Sequence, residues 1–189
     1  MSTSFIKGSS IKAINEFLMK NGGNEAYQKV MGAISAEYRA VVGNKVILSS
    51  SWYPMEMYVD FLKSINRIMS KDNKNILYDM GSYIIEYGYH SFYKLFYQLG
   101  SPQFILKNSK YLWSSYFKPS RITVVKTTNT SALLRVEGEP LPDKVLCETI
   151  AGGMEQSAKF SGAKNIKINE TQCRVTGGPY CEYDITWEL

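Results

Sequence analysis

The spacing of apolar residues changes along this chain, and that change limits the possible fold more than any other feature. Up to about residue 118 apolar residues recur with a period near 3.6, which is typical of amphipathic helices. After Pro119, Ile122 to Thr128 and Ala132 to Glu137 alternate or are β-branched, which predicts a hairpin. Helical spacing returns over Leu141 to Phe160, and a second hairpin follows. This order predicts an α+β fold of N-terminal helices with a small antiparallel sheet of two hairpins.

The length of 189 residues fits one domain, since single cores usually run to about 100–200 residues. No shift in composition marks a linker, so we expect residues 1–189 to form a single domain. Its first part, 1–118, is predicted to be mainly helical, and its second part, 119–189, to run β-hairpin, helix, β-hairpin. Ser101-Pro102 predicts the start of a helix, because serine caps helices and proline suits their first position.

The chain has only one histidine and three cysteines, which limits the catalytic and metal-binding sites that it can form. Any histidine-dependent triad or haem ligand must use His90. An odd number of cysteines and an N-terminus without a signal-peptide pattern predict a cytoplasmic protein with reduced thiols. No apolar run approaches the roughly 18 residues of a spanning helix, so no membrane span is expected.

The cysteines fall close to one glutamate in the predicted hairpin, which suggests a metal site. Cys173 and Cys181 are expected to face each other across the turn, Cys147 to come from the preceding helix, and Glu170 to need a bulge or strand end to turn inward. Three thiolates and a carboxylate form a plausible tetrahedral set for zinc. The alternative is that all three cysteines are small buried hydrophobic residues.

Aromatic residues make up 13% of the chain and concentrate before residue 118. One interpretation is ordinary core packing, and the other is an apolar cavity that binds a small aromatic or lipid-like ligand. In that second interpretation the candidate ligand-binding residues are Tyr83, Tyr87, His90, Tyr93, Phe96, Tyr97, Trp113 and Phe117.

The stretch from Glu170 to Ile185 resembles the end of the 4-vinyl reductase domain family. That family shares a superfamily with haem nitric-oxide sensors, Golgi-transport (TRAPP) subunits and phenol sensors, which implies a ligand-binding fold of that type. The centre Ala151-Gly152-Gly153 looks like the family's glycine-containing helix, and the N-terminal part resembles stand-alone myxobacterial members. The phenol sensors hold zinc with three cysteines and one glutamate, which implies a structural zinc site. The four implied ligands are Cys147, Glu170, Cys173 and Cys181.

The segment from Tyr83 to Trp113 also resembles the haem nitric-oxide sensors, whose proximal histidine follows a leucine. Here Leu112-Trp113 stands at that place, and the sensors' Tyr-x-Ser-x-Arg motif is missing. His90 lies about six helical turns earlier. On this resemblance no haem is expected, and zinc is the expected cofactor.

These observations predict a module that binds or senses a small hydrophobic or aromatic molecule, or a lipid. It would signal through a partner or through a homodimer formed by the apolar stripes at Tyr27 to Tyr38 and Met57 to Ile68. One alternative is a TRAPP-like scaffold. Another, which the name of the 4-vinyl reductase family implies, is a 4-vinyl chlorophyllide reductase, although the sequence contains no nicotinamide- or flavin-binding motif. The net charge of +5 comes from scattered lysines and arginines, so no nucleic-acid partner is predicted.

Overall fold

The computed structural model describes residues 3–43, 47–90, 94–98 and 100–189. Most of the first part is helical, as predicted. The eight α-helices of these ranges are α1 (Gly8–Ala33), α2 (Ala36–Val42), α3 (Met55–Met69), α4 (Ile76–Gly88), α5 (Lys94–Gln98), α6 (Pro102–Lys107), α7 (Ser109–Tyr116) and α8 (Lys144–Phe160). Ser101 caps α6 as predicted, because its side chain accepts a hydrogen bond from the Phe104 amide.

Seven strands form two antiparallel sheets within the described ranges. The strands are β1 (Phe5–Lys7), β2 (Trp52–Pro54), β3 (Phe117–Lys118), β4 (Arg121–Thr127), β5 (Ser131–Glu137), β6 (Lys164–Gln172) and β7 (Cys181–Glu188). The larger sheet has the order β4-β5-β7-β6, so the two predicted hairpins join through β5 and β7. The α+β prediction is confirmed. The small sheet β2-β1-β3 was not predicted, because two- and three-residue strands carry no periodic signal.

Two apolar cores lie side by side. The first is built from α1, α3 and α4, and its most buried members include Ile14, Phe61 and Met80. The second lies against the larger sheet and contains Leu134, Tyr183 and other residues that alternate along β5 and β7. Ile150 on α8 packs against both cores, so α8 joins the helical layer to the sheet.

The two apolar stripes that were expected to form a dimer surface lie largely in the helical core of the same chain. Val30, Met31 and Ile34 of the first stripe and Phe61 and Ile65 of the second are buried in the helical core of the same chain. These residues are therefore already covered by other helices of the same chain, and the stripes no longer support the predicted homodimer. No helix in the described part of the chain has both the length and the apolar character needed to cross a membrane.

Close contact between α4 and α8 depends on two glycines. A Cβ atom at Gly81 would lie 1.9 Å from the Thr149 carbonyl oxygen, and one at Gly152 would lie 1.9 Å from the Tyr78 carbonyl oxygen. Both distances are far inside van der Waals contact, and the atoms that block them are backbone atoms that cannot rotate away. Only glycine at these positions allows the two helices to approach so closely.

We expect Gly152→Ala to destabilise the protein by about 3 kcal/mol, because the added methyl group must push α8 away from α4. The neighbouring substitution Gly153→Ala is the matched control. Its Cβ atom would meet Ile85 at 3.4 Å, an ordinary contact, so the better helix propensity of alanine should leave stability unchanged or raise it by up to about 1 kcal/mol. Urea unfolding of both variants measures the difference, and equal stabilities would contradict the proposed role of Gly152.

Candidate functional site

A cavity of about 150 Å³ lies where the two cores meet. Its walls come from helices α1, α3, α4, α5 and α8, from the segment that carries α6, α7 and β3, and from strands β4, β5 and β7. Tyr58 and Ile84 contribute from the helical core, whereas Leu134 and Ile185 contribute from the sheet. The cavity is therefore a product of how the two layers pack together.

The lining is almost entirely apolar and contains no aspartate, glutamate, lysine, arginine or histidine among the described residues. Its polar side chains are hydroxyl groups and the indoles of two tryptophans. Two of the hydroxyl groups are hydrogen-bonded to backbone carbonyl oxygens, Thr149 to Val145 and Ser161 to Ala158. A charged ligand group placed against these walls would lose its hydration without gaining a partner, which favours a neutral ligand.

Three of the predicted ligand-binding residues line this cavity: Tyr97, Trp113 and Phe117. The Tyr97 hydroxyl lies 3.1 Å from Ser157 Oγ on α8. The Trp113 ring stacks on Phe117 with 4.3 Å between centroids, and its Nε1–H donates to Ser120 Oγ at 3.2 Å. These contacts hold the aromatic wall of the cavity in place.

Other predicted residues lie elsewhere. Tyr83 packs on Phe17 and donates to Glu16, while Tyr87 packs against the helical core, because both belong to the face of α4 that meets α1. Phe96 contacts the rings of Tyr97 and Phe104. Tyr93 lies outside the described residues.

His90 is exposed, with its Nε2 atom 4.0 Å from Glu86 Oε1, and it is not part of the lining. Its position just after the end of α4 turns it away from the cavity. The only histidine of the chain therefore cannot orient a ligand there in this arrangement.

Much of the lining was missed by the sequence analysis. Met154 and Ala158 come from α8, Ala132 from β5 and Trp187 from β7. Alternation along β5 and β7 identifies Ala132 and Trp187 as inward-facing residues, but alternation does not show that a cavity lies beside them. That information comes only from the way the sheet packs on α8.

The three cysteines and Glu170 come together beside this cavity. Their ligand atoms all lie within 4.8 Å of one another, with Cys147 Sγ 3.6 Å from Cys173 Sγ and 3.8 Å from Cys181 Sγ. In a tetrahedral zinc site with Zn–S bonds of about 2.3 Å, two sulfur atoms are about 3.8 Å apart. The observed spacing matches that geometry.

The end of the hairpin of β6 and β7 produces this arrangement. The last ladder pair is Gln172 with Glu182, so Cys173 and Cys181 stand at the next position, where Cys173 precedes a 3₁₀ turn over Arg174–Thr176. The register of β6 shifts between Glu170 and Gln172, which is the bulge that Glu170 was expected to need. The left-handed backbone of Gly177, with φ of 94°, then returns the chain to β7.

The two oxygens of the Glu170 carboxylate have different surroundings. Lys144 Nζ donates to Glu170 Oε2 at 2.6 Å, whereas Glu170 Oε1 is buried without a hydrogen-bond partner among the described residues. An unpaired buried carboxylate oxygen costs free energy unless something else binds it. Burial by itself would raise the pKa of Glu170, but the Lys144 ammonium and the neighbouring thiols outweigh it and hold that pKa below its usual value.

The thiols also differ from one another. The hydrogen bond from the Cys147 thiol lowers the pKa of Cys181, and the Arg174 amide, which donates to Cys181 Sγ at 3.5 Å, lowers it as well. The hydrogen bond to Cys181, together with burial, raises the pKa of Cys147. Cys181 is therefore the thiol that ionises first, and thiolate is the form that binds metals.

A smaller cavity of about 30 Å³ lies next to the cluster, with Cys147 and Cys181 in its lining. Trp113, Phe117 and Ile150 line this cavity and also the main one. The two cavities therefore share part of their lining.

Comparison with known proteins identifies solved structures that share this fold. No protein-family model matches this chain, and no curated protein matches it in sequence. An H-NOX protein from S. oneidensis in the Fe(II) ligation state, a triple mutant, is similar with a TM-score of 0.75, 14% identity and 97% coverage of each chain. An oxygen-binding H-NOX domain related to soluble guanylate cyclases, in its oxygen complex, is similar with a TM-score of 0.67 and 15% identity, over 97% of this chain and 96% of that one.

A third solved structure, concerned with haem redox potential and protein-induced porphyrin distortion, is similar with a TM-score of 0.67 and 16% identity, over 97% of this chain and 96% of that one. Because these identities are low, the likeness establishes a shared fold. That fold is the fold of the H-NOX proteins, and it agrees with the fold class expected from the sequence.

Two expectations are corrected by these comparisons. Membership of the 4-vinyl reductase family is wrong, because the structural neighbours are H-NOX proteins and no family model supports the resemblance. The expected cofactor set is also wrong in excluding haem, because neighbours of this fold are described in Fe(II) and oxygen-bound states and one in terms of its haem.

The residues of this chain do not match a histidine-ligated haem, since no histidine lies among the described lining residues. The described lining does contain residue types that bind haem iron in other proteins, namely Met154 and the tyrosines Tyr58, Tyr97 and Tyr116. No arginine or lysine in the described lining is placed to bind haem carboxylates.

The pairing of Lys144 with Glu170 makes a pH-dependent contribution to stability that can be measured. Because the folded-state pKa of Glu170 is lowered, the contribution is present above the ordinary carboxyl pKa of about 4.3 and is lost as the pH falls through the folded-state value. We expect Lys144→Met to cost about 1 kcal/mol at neutral pH, allowing for the exposure of Lys144, and much less in acid.

Urea unfolding of metal-free protein in chelator, at neutral and acid pH, measures this difference. Lys29→Met is the matched control, because it removes an ion pair to Glu25 of the same 2.6 Å length in which both groups are exposed. The stability of Lys29→Met should equal that of the native protein at either pH. A pH-independent effect of Lys144→Met would contradict the assignment.

Proposed function

We propose that this protein is a small-molecule sensing module whose ligand occupies the apolar cavity between its two cores. The observation that carries the proposal is the cavity itself, about 150 Å³ in volume and lined without charged side chains among the described residues. Engineered apolar cavities of about 150 Å³ in another protein bind benzene. The volume favours a compact aromatic or aliphatic molecule over an acyl lipid.

The position of the cavity explains how binding would produce a signal. Its walls belong to both cores and to the segment of α6 and α7, so a ligand that fills it stabilises their packing against one another. A partner protein bound to the helical layer or to the sheet would then respond to the change in packing between the two. The neighbours' ligand-binding fold supports this function.

We expect isopropylbenzene (cumene) to raise the melting temperature of the protein, because a ligand that binds only the folded state stabilises it. Ala132→Leu should abolish the rise, since Ala132 is buried in the cavity wall and the larger side chain fills the space. Ala40→Leu, on the exposed face of α2, is the control and should retain it. Differential scanning calorimetry measures all three, and an unchanged melting temperature in the native protein would contradict the proposal.

The cysteine cluster is proposed to hold a structural zinc ion. Its support is the sulfur spacing of 3.6 and 3.8 Å, together with Glu170 Oε1, which has no partner among the described residues. With three thiolates and a carboxylate as ligands no position is left for a reactive water, so the ion would join the start of α8 to the hairpin of β6 and β7. Lys144 offsets part of the excess negative charge.

Metal analysis of purified protein should find about one zinc per chain. Cys181→Ser should lose it and lower the thermal stability, because a serine hydroxyl is a poor zinc ligand. Glu148→Gln is the control, since Glu148 follows Cys147 on α8 but is not part of the cluster. Substoichiometric zinc in the native protein, or full zinc in Cys181→Ser, would contradict the site.

A second candidate function is gas sensing through haem, which is favoured by the Fe(II) and oxygen-bound states of the neighbours. Titration of the protein with haem, followed by its Soret absorbance, separates the two candidates. One-to-one uptake that cumene displaces would favour haem in the same cavity. Weak, unsaturable uptake together with cumene binding would favour the first candidate.

A further inference from the structure

Acidic residues are distributed unevenly along the chain, although the lysines and arginines are not. Residues 87–136 contain five lysines and two arginines but no aspartate or glutamate. The rest of the chain carries 15 basic and 17 acidic residues, so this segment accounts for the whole positive net charge of +5. It contains the helices α5 to α7 and the strands β3 and β4.

The two arginines of this segment already have acidic partners on the same chain. Arg121 Nε lies 3.4 Å from Glu137 Oε2, and Arg135 Nη2 lies 2.9 Å from Glu182 Oε2. None of the five lysines forms an ion pair with a carboxylate of the described ranges. All five are exposed: Lys94, Lys107, Lys110, Lys118 and Lys126. The charge that remains for a partner is therefore carried by flexible ammonium groups and not by guanidinium groups.

Helices α6 and α7 each have an inner face that lines the main cavity. Ile105 and Leu106 contribute from α6, and Leu112, Trp113 and Tyr116 contribute from α7. On α7 these residues follow a spacing of three and four, which places them on one side of the helix. Because both inner faces line the same cavity, the opposite faces of the two helices point away from it.

The opposite faces carry aromatic rings and lysines. Phe104 is 40% exposed and Tyr111 is 74% exposed. Phe104 and Lys107 are three residues apart on α6 and so share one side of it, while Lys110 and Tyr111 are adjacent on α7. We call these four residues the α6–α7 outer face. Aromatic rings beside lysines are typical of protein surfaces that lie in the headgroup region of a membrane.

We propose that the α6–α7 outer face binds the surface of an anionic membrane. Charge complementarity requires a negatively charged partner, because the lysines of this segment have no ion pair among the described residues. The residue type favours lipid. Protein interfaces are enriched in arginine and depleted in lysine, and arginine makes the commonest specific contact to nucleic-acid bases. Attraction to anionic headgroups needs only positive charge close to the surface.

Such binding is peripheral and reversible, and it has a consequence for the cavity. Each lysine near an anionic surface strengthens partitioning about fivefold. The helices that touch the membrane are those whose inner faces line the cavity, so an apolar ligand dissolved in the lipid would lie close to its binding site. This last step rests on the proposed function, whereas the membrane contact does not require a ligand.

Sedimentation with unilamellar vesicles measures the partition coefficient. The native protein should bind vesicles that contain phosphatidylglycerol but not vesicles of phosphatidylcholine alone. Binding should be lost as the salt concentration rises from about 0.1 M to about 1 M, because the Debye length falls from about 10 Å to about 3 Å.

The double variant Lys107→Gln/Lys110→Gln should bind the anionic vesicles about 25-fold more weakly than the native protein. Its matched control is Lys164→Gln/Lys167→Gln, which removes the same charge from two exposed lysines of β6. That strand forms the edge of the larger sheet opposite β4. The control should weaken binding by less than about threefold, because charges more than a Debye length from the membrane are largely screened.

Tryptophan fluorescence gives a second measurement. The indole introduced by Tyr111→Trp should emit at a shorter wavelength when anionic vesicles are added, because its ring moves from water into the membrane interface. The indole introduced by Met19→Trp, at a 47% exposed position on α1, should keep its emission. Both changes are measured as differences from the native protein.

Two results would overturn the inference directly: no binding of the native protein to anionic vesicles, or equal losses in the two double variants, which would assign the effect to net charge alone. Binding to poly-glutamate or to single-stranded DNA through Lys107 and Lys110, without binding to vesicles, would assign this face to a protein or nucleic-acid partner and would also overturn it. The cumene experiment is independent of all these results, so the proposed function is judged separately.

Discussion

The contact between the backbones of α4 and α8 is the constraint on which the rest of the structure depends. Gly81 and Gly152 each face a carbonyl oxygen of the other helix at a distance that excludes any side chain. This contact fixes α8 against the helical core along the middle of its length. The start of α8 then presents Cys147 to the hairpin, and its middle and end present Ile150, Met154 and Ala158 to the cavity.

Placing α8 in this way creates two adjoining sites with different chemistry. One is an apolar space whose described lining has no charged side chains, and the other is a compact set of three thiols and a carboxylate. Trp113, Phe117 and Ile150 line the main cavity and also the smaller cavity that Cys147 and Cys181 line. An ion at the cluster would hold the hairpin and the start of α8 together next to these residues.

Several features were predictable from sequence because each depends on neighbouring residues. The change of period after Pro119 predicted the helices and both hairpins, and Ser101-Pro102 predicted the start of α6. The spacing of Glu170, Cys173 and Cys181, with Cys147 on the preceding helix, predicted that these four side chains come together. The details of the hairpin, a bulge near Glu170 and a 3₁₀ turn after Cys173, have no reliable periodic signature in the sequence.

The sequence by itself determined the order of helices and strands, the scarcity of histidine and the set of cysteines available to a metal, because these are properties of local spacing and residue type. Only the tertiary structure decided which aromatic residues face a cavity. In the sequence pattern Tyr83 and His90 are equivalent to Tyr97. Tyr83 nevertheless lies outside the cavity because its face of α4 packs against α1, and His90 lies outside it because α4 ends at Gly88.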